Sequence, residues 1–401
     1  MVQVYNKALN ETINVDRFIG KIEGSQSGPT IIFFAGIHGN ETAGVFALHQ
    51  VFNSIDKGDI RGSVYGIAGN LSALNKGQRF LYDDLNRIWT EKNIQRLHQS
   101  DQLNPDEKEL LEIHKILKDI LNKGQAPFYF IDLHTTSSQT LPFVTINDAL
   151  INRKFSRQFP VPIVLGIEEY LDGPLLSYLN TKGYVSIGFE SGQHDMKNAI
   201  TNGEAFIYLS LVHSGSIKKA SLPDYDRYFN LLKQDAKEIK EVFEIIYLYQ
   251  LSNGEDFRMK PDFKSFQLIK KGTLLAQRNG KDVVAPKDAK IFMPLYQNRG
   301  REGFFLIKKI SPFFLRLSAI LRRTKADNLL AILPGISWQD EQKNGLQVDL
   351  KIARFMAKPI FHLLGYRNKQ LDRTHLRLNN RERNSKIDAY RNLPWYKGQS
   401  N

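Results

Sequence analysis

The sequence predicts an α/β fold: a mixed sheet flanked by helices, then a small all-β barrel or sandwich, then a basic, helical carboxyl-terminal extension. Three observations predict it. Strand-like and helix-like segments alternate from the start of the chain to about residue 215, the pattern of a parallel or mixed sheet with helices on its faces. Between Phe257 and Ile310, short strand-like pieces are separated by Gly, Pro and Asn, which is the turn chemistry of a small β unit. From residue 311 onward, apolar helical patches mix with basic ones. The implied divisions are 1–250, 251–310 and 311–401.

The elements follow in order. Thr30–Ala35 is an unbroken apolar run and predicts a buried strand, with Glu41–Phe52 as the helix after it. SVYGIAGN (63–70), FYFIDLH (128–134), PIVLGI (162–167) and YVSIGFE (184–190) read as further strands. Pro105–Leu121 places Leu110, Ile113, Leu117 and Ile120 on one helical stripe. Residues 224–250 read as one long helix, because Phe229, Leu232, Ala236, Ile239, Phe243 and Ile246 recur every three or four positions. Asn253-Gly254 then breaks the pattern. In the extension, FFLRLSAIL (313–321) and IARFMAKPIFHLL (352–364) are the helical patches, and RTHLRLNNRERNSK (373–386) is expected to be poorly ordered.

Composition narrows the function classes. At 401 residues the chain holds two to three units, taking roughly 150 residues per domain. Its hydrophobic fraction of 42% can fill a core. There is no cysteine, so disulfides and thiolate zinc sites are excluded and any metal must use His, Asp or Glu. The amino terminus shows no basic start followed by an apolar run. No apolar stretch approaches the ~20 residues that cross a bilayer. A soluble cytoplasmic protein is the expectation. The net charge of +13 is uneven: residues 311–401 hold 17 Lys+Arg against 7 Asp+Glu, and the first 310 hold 38 against 35. Basicity confined to the tail argues against a nucleic-acid binder or a membrane-surface protein. The tail reads first as an amphipathic extension packed on the β unit, and next as a docking or oligomerising element for a protein partner or a second copy.

The chemistry begins at His38-Gly39-Asn40-Glu41. An apolar strand ends in glycine, and an imidazole and a carboxylate follow three residues apart. Open α/β sheets place their sites at the carboxyl ends of strands, and both groups suit zinc, whose catalytic sites use three protein ligands and keep one position open. His134, closing FYFIDLH, is the third ligand candidate. Asp132, two residues earlier, shares its side of the strand and could accept the second ring N–H of a ligating histidine or be an ordinary buried polar group. In QRFLYDDLNRIW, Arg79 and Arg87 carry planar forks suited to carboxylates, with Asn86 between them; a solvated basic loop is the other reading. Asp83-Asp84 is expected to brace that loop by local hydrogen bonds. Glu190 closes another apolar strand, SIGFE, and at a shared sheet edge would be a candidate general base. His194 lies close enough to border a pocket. Glu168-Glu169 reads as a solvated pair, and His49, His98, His114 and His213 as ordinary surface or packing residues.

Four of these segments together resemble the succinylglutamate desuccinylase/aspartoacylase family, zinc-dependent deacylases related to the zinc carboxypeptidases. The resemblance rests on G-I-H-G-N-E at Gly36–Glu41, R-x6-N-R at Arg79–Arg87, D-L-H-T-T at Asp132–Thr136 and the strand-end Glu190. It covers roughly residues 25–310. It implies a zinc carboxypeptidase-like sheet followed by the small β unit, with one Zn2+ per chain held by His38, Glu41 and His134. It further implies that Arg79 faces the substrate carbonyl and steadies the oxyanion, that Asn86 and Arg87 grip a substrate carboxylate, and that Glu190 is the base. The expected activity is hydrolysis of the acyl-amide bond of an N-acyl amino acid or a similar small carboxylate-bearing substrate. Two other readings stay open: a zinc carboxypeptidase acting on peptides, and a metal-binding scaffold acting through its basic tail. The chain departs from the aspartoacylase pattern ten residues before Glu190, where Asn180 stands in place of an arginine that reads the aspartate side chain. The nearest cations there are Lys182 and Arg157. Tyr170, Tyr178, Tyr184 and Tyr296 are the tyrosines that could line the pocket.

Overall fold

The computed structural model describes residues 1–252, 254–339, 345–349, 361, 363–370 and 375–398. Its frame, among these residues, is an eleven-stranded mixed sheet. From one edge the order is Phe18–Glu23, Arg61–Ala68, Gln26–Ala35, Phe128–Thr136, Val185–Gln193 and Phe143–Ile146. It continues through Ile163–Leu165, Val242–Gln250, Glu302–Lys309, Ala289–Phe292 and Leu268–Ile269. Four neighbours near one side, Arg61–Ala68, Gln26–Ala35, Phe128–Thr136 and Val185–Gln193, run parallel. Their carboxyl ends therefore open on the same edge.

The apolar run of Gln26–Ala35 is buried on both faces, as parallel strands between helices must be. Ile31, Phe33 and Ala35 enter one core cluster with residues of the helices Ala43–Ser54 and Lys197–Ser214. Ile32 and Phe34 enter the opposite cluster with Trp89 and with Leu110, Ile113 and Leu117 of the helix Pro105–Lys123. That helix starts where the sequence says it must. Asn104 and Glu107 form a capping box with Pro105 at the first turn, which satisfies amide groups the helix itself cannot. Each large side chain buried this way stabilises the fold by about 1.5–3 kcal/mol.

Four expectations are corrected. Residues 224–250 are not one helix: the helix Tyr225–Asp235 ends, Lys237 and Glu238 take positive φ of 51° and 59°, and the strand Val242–Gln250 follows. VFEIIYLYQ is rich in β-branched and aromatic residues, which fit a pleated surface. Pairing with Ile163–Leu165 on one side and Glu302–Lys309 on the other overrides the helical spacing.

The strands expected between 257 and 310 are present, but they do not form a sheet of their own. Leu268–Ile269, Ala289–Phe292 and Glu302–Lys309 extend the large sheet, and only Phe257–Met259, Leu274–Arg278 and Lys281–Val284 make a separate three-stranded one.

The extension is not simply helical. The helix Pro312–Arg323 covers the first apolar patch, but Ile336–Trp338, Gly345–Asp349, His375–Asn380 and Tyr366–Gln370 then form a four-stranded antiparallel sheet. Most of the patch at 352–364 lies outside the described residues, as do 371–374. Within the stretch expected to be poorly ordered, His375–Asn380 is a strand, and the segment after it returns to the core, where Tyr390 is fully buried and Trp395 nearly so.

Glu168 and Glu169 are not solvated. Glu168 is buried, and Arg381 of the extension reaches both carboxylates, at 2.9 and 3.0 Å.

Candidate metal centre and active site

The candidate metal ligands sit where two parallel strands end. Gln26–Ala35 stops at Gly36, whose φ of +71° turns the chain away from the sheet, a conformation that glycine adopts without strain. Gly39 follows in close quarters: a Cβ there would lie 2.1 Å from the backbone of Ala73. The loop is thus pressed against the next helical turn, and Gly39 N–H donates to the Arg79 carbonyl at 3.1 Å. His134 lies on the neighbouring strand, in register with Glu190 on the strand beyond.

The ligand atoms converge. His38 Nδ1 is 2.7 Å from Glu41 Oε1, and His134 Nδ1 is 3.0 Å from Glu41 Oε2. One candidate ligand atom from each of the three side chains lies within 4.8 Å of the others. The far ring nitrogens are also held. His38 Nε2 meets Asp84 Oδ1 at 3.0 Å and His134 Nε2 meets Asp132 Oδ2 at 2.7 Å. A carboxylate behind each imidazole fixes the tautomer that leaves the other nitrogen free to ligate. The Thr135 amide braces Glu41 Oε2 at 3.0 Å. The donor set fits zinc: two imidazoles and a carboxylate, with no thiolate.

The electrostatics favour a cation there. Burial works against the charged form of His134, but Asp132 and Glu41 outweigh it and hold the imidazole well above its usual range. Burial would likewise raise Glu41, yet His38 and His134 keep its carboxyl well below the normal carboxylate range. Glu190 behaves in the opposite way. Burial, helped by the charges of Glu41 and Asp132, pushes it up to about 8. Its Oε2 has no hydrogen-bond partner among the described residues.

The second loop brings the arginines in. Asp106, fully buried, accepts from the amides of Tyr82 and Asp83 at 2.6 and 3.0 Å and from that of Leu81 at 3.3 Å. Asp84 accepts from Asn86 N–H at 2.9 Å and from Arg79 Nη2 at 3.1 Å. Arg79 Nη1 stands 3.5 Å from Glu41 Oε1, which puts its guanidinium beside the ligand cluster. Asn86 Oδ1 accepts from Leu175 N–H at 2.9 Å, tying the loop to the helix Leu175–Asn180. Arg87 pairs with Glu302 at 3.2 Å.

All seven residues singled out from the sequence, namely His38, Glu41, Arg79, Asn86, Arg87, His134 and Glu190, line one cavity. His194 lines it as well and is 2.7 Å from Thr135 Oγ1. None of Asn180, Lys182, Arg157 or the four tyrosines does. Two lining residues, Glu302 and Gln297, were not read from the sequence, and neither was the place of Asp84 behind His38. Glu302 and Gln297 lie outside every motif and arrive only through the register of distant strands. Asp84 was read as a loop brace, and its closeness to His38 has no signal in spacing.

Mixed sheet, convergent imidazoles and a buried carboxylate in one cavity with two arginines define a class of protein: α/β domains with a candidate metal site. The model of the "Succinylglutamate desuccinylase/Aspartoacylase catalytic domain" family matches residues 27–190. That segment of the chain is similar to the family's catalytic domain. A curated succinylglutamate desuccinylase from Pseudoalteromonas atlantica is 24% identical over 284 residues, covering 66% of this chain and 76% of its own length. One from Pseudomonas fluorescens (strain SBW25) is 30% identical over 119 residues. That match takes in 28% of this chain and spans only a third of the relative, 33% of its length. Among solved structures, a succinylglutamate desuccinylase/aspartoacylase from Rhodobacter sphaeroides superposes with a TM-score of 0.57 at 15% identity, covering 77% of this chain and 94% of that one. The product-bound ectoine utilization protein EutE (DoeB) from Ruegeria pomeroyi gives 0.54 at 17% identity, with 73% and 88% covered. At such identities the likeness establishes the fold.

Proposed function

We propose that the chain is a zinc-dependent deacylase that hydrolyses the amide of a small N-acyl amino acid. The observation that carries the reading is the convergence of His38 Nδ1 and His134 Nδ1 on the Glu41 carboxylate, in one cavity with Glu190 and Arg79. His38, Glu41 and His134 would hold the metal, which supplies Lewis acidity to water and to the amide carbonyl. Glu190, buried and with one oxygen unengaged, takes a proton from the attacking water and returns it to the leaving amine. A carboxyl raised by its surroundings suits a group that must both accept and donate near neutrality. Arg79 donates to the oxygen on which negative charge develops, a contribution of about 3 kcal/mol to the barrier for a single donor. Arg87, with Asn86 beside it, takes the substrate carboxylate in the bidentate manner of a guanidinium.

The names of the curated relatives support removal of an acyl group from an amino acid. A strap, residues 293–300, lines the cavity and supports a small substrate over a peptide. Met293, Leu295 and Gln297 line the cavity, Asn40 Nδ2 donates to Gln297 Oε1 at 3.1 Å, and Arg299 donates to the Phe80 carbonyl. The strap is thereby tied to both catalytic loops. The test is to measure bound zinc and then assay N-acyl amino acids and short peptides with the wild type and Glu190→Gln. Zinc-free protein, or turnover indifferent to the substitution, would sink the reading, and peptide cleavage without deacylation would replace it with a carboxypeptidase.

A further inference from the structure

The cavity holds few positive charges, and they are already answered. Arg79 faces Glu41 and Asp84, and Arg87 faces Glu302. Among the described residues lining the cavity there is no other Lys or Arg. An incoming carboxylate can replace Glu302 on the Arg87 guanidinium. A second carboxylate on the same substrate would find no cation.

The wall next to Arg87 is mostly apolar, with Ser177 and Asn147 as uncharged polar members. A Cβ on Gly173 would lie 2.2 Å from the Arg87 carbonyl oxygen, so the 171–177 loop packs directly on the residue that carries the clamp. Trp89 N–H donates to the Gly173 carbonyl at 2.9 Å and locks that contact. This loop and its surroundings present Leu171, Leu176, Ile167, Ile146 and Phe305 to the cavity. Leu171, Ile167 and Phe305 belong to one apolar cluster that continues into the sheet. If Arg87 takes the α-carboxylate, the substituent on the same α-carbon meets this wall. A carboxylate placed there would lose its water and gain no Lys or Arg to offset its charge, whereas an aliphatic or aromatic side chain buries apolar surface against the wall.

We infer that the substrate is a monocarboxylate: an N-acyl amino acid whose side chain is uncharged and apolar, with N-acyl aspartate and N-acyl glutamate excluded. The inference rests on the deacylase reading above, but its test separates the two. Binding is measured by calorimetry on zinc-loaded Glu190→Gln, and hydrolysis on the wild type, with N-acetyl-leucine, N-acetyl-phenylalanine, N-acetylaspartate and N-acetylglutamate. The apolar pair should bind at least tenfold more tightly and be hydrolysed with at least tenfold higher kcat/KM. Leu176→Lys, or Ile167→Lys should the first variant fail to fold, should narrow or reverse that ratio by supplying the missing cation. Acidic substrates bound as tightly as the apolar pair, or no N-acyl amino acid bound at all, would overturn the inference. Equal binding with hydrolysis that needs Glu190 would overturn the inference and leave the deacylase reading standing. Selective binding of the apolar pair without hydrolysis would support the inference and remove deacylation.

Discussion

His134 is held at both ring nitrogens, one by Asp132 and the other by Glu41. Asp132 is fully buried, and its Oδ2 orients that imidazole at 2.7 Å. Asp132→Asn keeps the shape and removes the charge, so metal affinity should fall about 10–100-fold, read by competition with a chelator. An unchanged affinity would show that the pair is ordinary buried polar packing. Glu190 calls for a different outcome. Glu190→Gln should retain the metal and the fold and lose about 10²- to 10⁴-fold in kcat, the range of a general acid–base group. A comparable loss of bound metal would mean that Glu190 belongs to the ligand set. Glu302→Gln frees Arg87 from its ion pair, so KM for a substrate carboxylate should change while kcat stays within a few-fold. A large fall in kcat with KM unmoved would argue against Arg87 as the carboxylate clamp.

Strand ends were where the sequence spoke most clearly. Gln26–Ala35 and Val185–Gln193 announce themselves by apolar runs, and the polar residues at or just past their ends include the candidate site residues His38 and Glu190. The same logic failed at 242–250. Phe243 and Ile246 continued a helical spacing by coincidence, and only pairing with strands some eighty residues before and sixty after makes the segment a strand. Glu302 escaped for the same reason, since nothing local marks the first residue of Glu302–Lys309 as the partner of Arg87. The helices raise a separate point through His213, in the last turn of Lys197–Ser214. A helix carboxyl terminus favours the protonated ring by about 0.3–1 kcal/mol. Burial, aided by the charge of Lys219, wins and lowers His213 to about 4. Its ring packs T-shaped on Phe159 with centroids 5.2 Å apart, and its Nε2 is sealed from solvent without a partner among the described residues. The folded state therefore resists a proton that the unfolded chain accepts near pH 6.5. Stability from this group is complete above that pH and is lost as pH falls towards 4, by roughly 3 kcal/mol at most. Urea unfolding of the wild type and His213→Gln at pH 7 and pH 4.5 checks it: the variant should lose less on acidification, and parallel losses would exclude His213 as the cause.

Residues beyond 310 are built into the molecule at two places, the first against the strands Phe128–Thr136 and Val185–Gln193 that lead to the candidate site. At the amino-terminal ends, Tyr390 Oη donates to the Phe128 carbonyl and accepts from Val185 N–H at 2.9 Å, and Trp395 Nε1 donates to Tyr129 Oη at 3.2 Å. Nearer the cavity, Arg322 and Arg381 enter a buried charge cluster. Arg322 Nη2 meets Asp148 Oδ2 at 2.7 Å, Arg381 reaches Glu168 and Glu169, and Glu382 accepts from Leu150 N–H at 3.0 Å. Asn147 and Ile167, the chain neighbours of Asp148 and Glu168, line the cavity. The basic extension thus neutralises acids that hold a wall of the site, and its charge is spent within the chain to that extent. Composition could not show this, because a count of +10 does not say where the partners are. Removing one member of a buried pair leaves the other uncompensated and costs about 3–5 kcal/mol. Arg381→Leu should therefore lower the melting temperature by several degrees and raise KM through the displaced wall, with metal content unchanged. A chain ended after Ile310 should lose cooperative unfolding altogether, since the ends of Phe128–Thr136 and Val185–Gln193 would be stripped of Tyr390 and Trp395. A truncated chain that melts cooperatively at the temperature of the full chain would make the extension an independent appendage, and calorimetry on the two chains decides between these outcomes.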